Sequence, residues 1–227
     1  MTEVKLHPDT NLLVEYSCGS LGPAQAVSVA THLFYCGPCR AQASTLDEIG
    51  GKFLTDVTPE QVSGDCLSSI MTRLEGLDLD GEKETKAVSI ANTGAHAITA
   101  MLPPLVRKLL PTEGAKWRRL SPSLKVARLP VGEQRFELAL HHIRAGGRAP
   151  THNHGGQEIT VVLQGSFSDD EGVYHEGDFI IREPGHVHTP IATANSPCIC
   201  LSVLEAPIHM VGRFKRLLNP FLRFEPC

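Results

Sequence analysis

The stretch G-G-R-A-P-T-H-N-H-G-G-Q-E-I-T-V-V-L-Q-G, residues 146–165, leaves a folding chain few options. Read as a strand, His152 and His154 lie two residues apart and project from one face. Gly155 and Gly156 then let the backbone bend, and Glu158 arrives on the same parity. About thirty residues on, in R-E-P-G-H-V-H-T-P, His188 offers a fourth ligand from what would be a neighbouring strand. An isolated strand has no use for that many titratable groups in its core. Three imidazoles and a carboxylate converging inside a sheet make a metal site.

The 227 residues suffice for one large or two modest domains. No apolar run is long enough to span a membrane, and the start M-T-E-V-K-L-H-P-D lacks the basic and apolar regions of a signal peptide. The expectation is a cytoplasmic protein without a membrane partner, its seven cysteines mostly reduced. An odd, unevenly spaced set there points to metal or redox use rather than a disulfide scaffold. Charge is unevenly divided: residues 1–101 hold 6 Lys+Arg against 13 Asp+Glu, and residues 102–227 hold 15 against 12. An acidic first half argues against direct nucleic-acid binding and fits either a basic protein partner or a plain solvated acidic surface.

Taken in order, residues 9–20 fit a short helix ending near Gly19, and Pro23 suits the first turn of an alanine-rich second one. After Gly37-Pro38, C-R-A-Q-A-S-T-L-D-E-I is again helical. Thr58-Pro59-Glu60-Gln61 reads as a capping box opening a fourth helix. Its stripe Val62, Cys66, Ile70, Leu74, with Leu67 and Met71 beside it, is expected in the core. A four-helix unit this small has little core to share, so one apolar face can be left over. From Asp78 to Ala97 the chain turns charged, then small and polar, which reads as a linker. Beyond Trp117 the texture is β: F-E-L-A-L-H-H-I, E-I-T-V-V-L-Q-G, D-F-I-I-R and C-I-C-L-S-V-L between glycine-rich turns, as in a barrel or sandwich. The division expected is a helical domain over 1–80, a linker over 81–101 and a β domain over 102–227. The tail G-R-F-K-R-L-L-N-P-F-L-R-F fits a segment capping the barrel.

The first half carries its own ligand set. In T-H-L-F-Y-C-G-P-C-R, His32 and Cys36 sit one helical turn apart, and Cys39 follows just past the Gly-Pro break. Two thiolates and an imidazole are soft ligands that suit zinc, and the sole histidine upstream is His7. C-G-P-C also resembles the thioredoxin redox motif, which needs a hydrophobic strand and a βαβ frame that these helical surroundings lack.

The spacing G-x5-H-x-H-x3-E-x6-G, Gly146 to Gly165, resembles the first motif of the cupin barrels. Gly177, Gly185 and His188 match the second, whose proline has slid to Pro184 and whose closing asparagine is replaced by Ala192. With the N-terminal H-x24-H-x3-C-x2-C module, the whole chain resembles the ChrR family of zinc-dependent anti-sigma factors. That resemblance implies an all-α N-terminal zinc-binding bundle and an all-β C-terminal cupin barrel. It implies two zinc ions per chain, one at His7, His32, Cys36 and Cys39 and one at His152, His154, Glu158 and His188. It further implies an extracytoplasmic-function sigma factor as partner, held by the helical domain, with the cupin domain needed for its release when singlet oxygen or related oxidants appear. Cys198 and Cys200 share a strand face roughly 6.5–7 Å apart, at the outer limit for a disulfide. The resemblance favours redox sensing for this pair, and two small residues filling the barrel wall is the alternative. Cys18, Cys66 and Cys227 have no evident partner. The rival to the regulator is a cupin metalloenzyme, such as a small-molecule dioxygenase, with a zinc-bearing accessory domain.

Overall fold

The computed structural model describes residues 3–75 and 101–211. The linker expected at 81–101 (Met101 apart), the basic tail beyond Val211 and Cys227 lie outside the described residues. Among the described residues, four helices form the first part. Helix α1, Thr10–Ser17, is capped by Asp9, whose Oδ1 accepts from the Leu12 amide at 2.8 Å. Helix α2, Pro23–Tyr35, opens on the expected proline and stops at Cys36, where the chain turns extended. Cys36 then caps α3, Gly37–Thr55, accepting at its sulfur from the Cys39 amide at 3.5 Å.

The fourth helix departs from expectation. No helix starts at Thr58; residues 58–63 are irregular, and α4 runs over Cys66–Glu75. Gly64 stands inside the segment the capping box was to open, and glycine costs about 1 kcal/mol in a helix interior. The stripe is not core either. No residue of α4 is buried; Leu67 is 71 % exposed and Ile70 and Met71 about half. Upstream, Phe53, Leu54 and Val57 are exposed as well, so the leftover apolar face exists and lies here.

Helix α5, Pro104–Leu109, leads into the β domain. Its strands are β1 Arg118–Arg119, β2 Leu124–Arg128, β3 Glu137–Ile143, β4 His152–His154, β5 Glu158–Gln164, β6 Ser166–Asp169, β7 Gly172–His175, β8 Phe179–Arg182, β9 Val187–His188, β10 Ile191–Ala192, β11 Cys198–Leu204 and β12 Ile208–Met210. All four strands read from the sequence are present as β3, β5, β8 and β11. They join β1 and β2 in one antiparallel sheet ordered β1-β2-β3-β11-β5-β8, with two three-stranded sheets, β10-β6-β7 and β12-β4-β9.

The large sheet is buried on both faces, which is why its strands read as almost unbroken apolar runs. Leu138, Leu140, Ile159, Val161, Ile199 and Leu201 share one cluster with Leu13, Ala24 and Val29 of the helices. The other parity faces the barrel interior: Ala139, Ile143, Val162, Cys198 and Cys200 pack there with Phe167 and Tyr174. Helices and barrel therefore share a core. Polar bonds reinforce the seam. Tyr35 donates to the Leu163 carbonyl at 2.8 Å, and buried Asp178, just before β8, accepts the amides of Lys5 and Leu6 at 2.8 and 3.1 Å. The preceding Gly177 has φ +91°, and a Cβ there would come within 2.8 Å of Val4 and Tyr35 side-chain atoms.

Candidate metal centres

The N-terminal cluster is built where the chain changes direction. His32 lies in the last turn of α2, Cys36 and Cys39 flank the Gly-Pro start of α3, and His7 comes from the extended segment before α1. The His7 Nδ1 lies 3.4 Å from both Cys36 and Cys39 sulfurs. A nitrogen and a sulfur on one tetrahedral zinc are separated by about 3.5 Å. His32 donates from Nδ1 to the Gly177 carbonyl at 2.7 Å, so Nε2 keeps its lone pair. That buried Nε2 has no protein partner. Burial holds the His32 pKa down to about 4, partly offset by the Gly177 bond, so the ring is neutral and ready to ligate. Burial, with the bond to Cys36, pushes the Cys39 thiol up to about 12; a cation is what would make it a thiolate. The donor set fits zinc.

The barrel cluster assembles across two sheets. β4 presents His152 and His154, β9 pairs with β4 and sets His188 opposite His152, and β5 brings Glu158 from the large sheet. All four are buried. The His188 Nε2 lies 3.1 Å from that of His154 and 3.2 Å from that of His152, and Glu158 Oε2 is 3.3 Å from His154 Nε2. Three imidazole nitrogens about 2.1 Å from one ion would be about 3.0–3.4 Å apart. His152 donates from Nδ1 to the Pro150 carbonyl and His188 to Asp169 Oδ2, which fixes the tautomers that aim both Nε2 lone pairs inward. Burial holds His152 near 4 and His154 near 3, and raises Glu158 to about 7 against the pull of Arg182. The donor set fits a divalent cation. In each cluster, the four donor atoms lie within 4.8 Å of one another.

The sliding of the second motif's proline leaves His188 in place. Gly185 takes φ +86° and donates to the His154 carbonyl at 2.8 Å, and Ala192 is buried where the motif has asparagine. Sequence reading missed the groups behind the ligands. Asp169 is held by Arg182 Nη2 at 2.9 Å and by the Tyr174 hydroxyl at 2.9 Å; the hydrogen bonds from His188, Tyr174 and Arg182 outweigh burial and hold its carboxyl near 2. Arg182 pairs in register with Glu158. The legible signal was an arginine closing a buried strand, D-F-I-I-R, which needs a carboxylate partner. Cys198 and Cys200 lie on the interior face of β11 with sulfurs 3.6 Å apart, both buried. Their mutual bond and burial keep the Cys200 thiol protonated.

A family model described as the ChrR cupin-like domain matches residues 106–206. The anti-sigma-E factor ChrR of Cereibacter sphaeroides is 33 % identical over 220 residues, 97 % of this chain and 99 % of its own length. The crystal structure of Rhodobacter sphaeroides SigE in complex with the anti-sigma ChrR matches with a TM-score of 0.71 and 32 % identity, over 89 % of this chain and all of that one. Fold and sites define a helical unit with a candidate metal cluster, joined to a cupin-like barrel that carries a second. The chain belongs to the ChrR family of anti-sigma factors, regulators rather than enzymes. No helix among the described residues is long and apolar enough to cross a membrane.

Proposed function

We propose that this chain is a cytoplasmic anti-sigma factor that binds and inhibits an extracytoplasmic-function sigma factor and frees it in response to oxidants such as singlet oxygen. The observation that carries this reading is the likeness, over 97 % of the chain, to an anti-sigma factor. Two features support it. Exposed Leu67, Ile70 and Met71 of α4 give an apolar surface with no cover among the described residues. The acidic first half complements a partner whose own business is with DNA.

In this reading residues 1–80 hold the sigma factor, 81–101 connect, and 102–227 sense. Each chain carries two zinc ions, one on His7, His32, Cys36 and Cys39, the other on His152, His154, Glu158 and His188. The first ion contributes folding free energy by tying the starts of α1 and α3 together. His32 adds a tether to the barrel through Gly177. Cys198 and Cys200 are candidates for oxidant sensing. The test is transcription by polymerase and the sigma factor recovered with the full-length protein from its native cytoplasm. Wild type should inhibit, His32→Ala should not, and oxidant should relieve the wild-type inhibition but not that by Glu158→Ala. Equal inhibition by His32→Ala would overturn the reading.

A further inference from the structure

The barrel encloses a cavity of about 300 Å³ that the anti-sigma reading leaves unused. Three of the four barrel ligands, His152, Glu158 and His188, line it, so the cluster opens onto this space rather than being walled in by its own ligands. Its walls include Leu120, Leu124, Val126, Ile143, Phe167 and Met210, all apolar. The polar wall groups are engaged: His141 Nε2 is 3.2 Å from the Ser202 hydroxyl, and Arg128 donates to Glu137 at 2.8 Å. Lys116 and Arg118, both largely exposed, also line the space.

We infer that this cavity is a binding site for a medium-chain monocarboxylate, its hydrocarbon body against the apolar walls and its carboxylate at the metal end. Charge and size both point that way. Neutral imidazoles and one glutamate bring a single negative charge to a divalent cation, which leaves a net positive charge at the end of an apolar enclosure. A monoanion neutralises it; an alcohol or amine does not. The volume is at the low end for small-molecule pockets and suits a ligand of roughly a dozen non-hydrogen atoms, not a long-chain lipid. Exposed Arg118 draws an anion inward, whereas Lys116 is ion-paired with Glu113 at 2.9 Å.

The inference rests on the metal reading of this cluster but not on the sigma factor, and the test separates the two. Full-length protein is loaded with zinc, its metal content measured, and decanoate titrated in by calorimetry beside acetate, 1-decanol and decylamine. Decanoate should bind at one per chain, at least tenfold tighter than each of the others. Ile208→Trp, at a half-buried lining position, should weaken decanoate at least tenfold without changing metal content. In protein loaded with cobalt in place of zinc, decanoate should shift the visible absorption of the barrel ion. A metal-loaded chain that ignores decanoate, binds decanol equally well, or leaves the cobalt spectrum unchanged overturns the ligand site alone. A chain that takes up no metal at this cluster overturns the metal reading and the ligand site together.

Discussion

Glu158 is a buried carboxyl, and burial lifts its pKa to about 7 against the pull of Arg182. The folded value lies above the ordinary 4.5, so the protonated carboxyl stabilises the metal-free fold below pH 4.5, and that contribution is lost as pH rises through 7. A cation reverses the preference, because it needs the carboxylate. His152 and His154 are already neutral above pH 5 and add nothing to the change near neutrality. Metal affinity of the barrel cluster should therefore be about tenfold higher at pH 8 than at pH 6, and Glu158→Gln should lose most of that difference. Chelator competition at the two pH values measures it. Asp169 acts one shell out, on the far nitrogen of His188. Asp169→Ala should weaken the barrel metal by 10–100-fold, read by the same competition.

At the scale of elements, the turn into β8 fastens the helices to the barrel. Asp178 accepts amides from Lys5, Leu6 and, at its other oxygen, His175 at 2.8 Å. Asp178→Ala strands those donors in part-buried positions and should cost about 2–4 kcal/mol in denaturant unfolding. It should also speed zinc loss from the N-terminal cluster, because His7 follows directly on the tethered segment. Helix α4 behaves in the opposite way. Its apolar side chains are exposed, so Ile70→Glu should change stability by no more than about 0.5 kcal/mol. The same change should abolish capture of the sigma factor in a pull-down. An α4 variant that still captures its partner would remove this helix from the interface.

Across the whole molecule, one strand touches both candidate metal clusters. β8 begins at Phe179, whose ring meets His32 edge-on at 5.6 Å and whose amide donates to the Leu6 carbonyl at 3.0 Å. It ends at Arg182, which holds the carboxylate behind His188. With a core shared by α1–α3, α5 and the outer face of the large sheet, helices and barrel should unfold together. Calorimetry of the full-length, metal-loaded protein should show a single endotherm. Two separated transitions would mean that the seam contributes little.

Much of this molecule is written in local periods. A two-residue strand repeat puts His152 and His154 on one face, and one helical turn does the same for His32 and Cys36. Short apolar runs between glycine-rich turns marked β3, β5, β8 and β11, because a strand buried on both sides reads as apolar throughout. The family's motifs placed His188 despite the shifted proline. Three things were decided only in three dimensions. Asp169 reaches His188 across 19 residues, and Asp178 holds residues more than 170 away; no repeat in the chain records such pairs. The stripe of α4 has the same pattern as a core helix, and only the placement of the others shows that nothing among the described residues covers it. Periodicity tells which side chains share a face, whereas what meets that face depends on how the remaining elements fill the space around it.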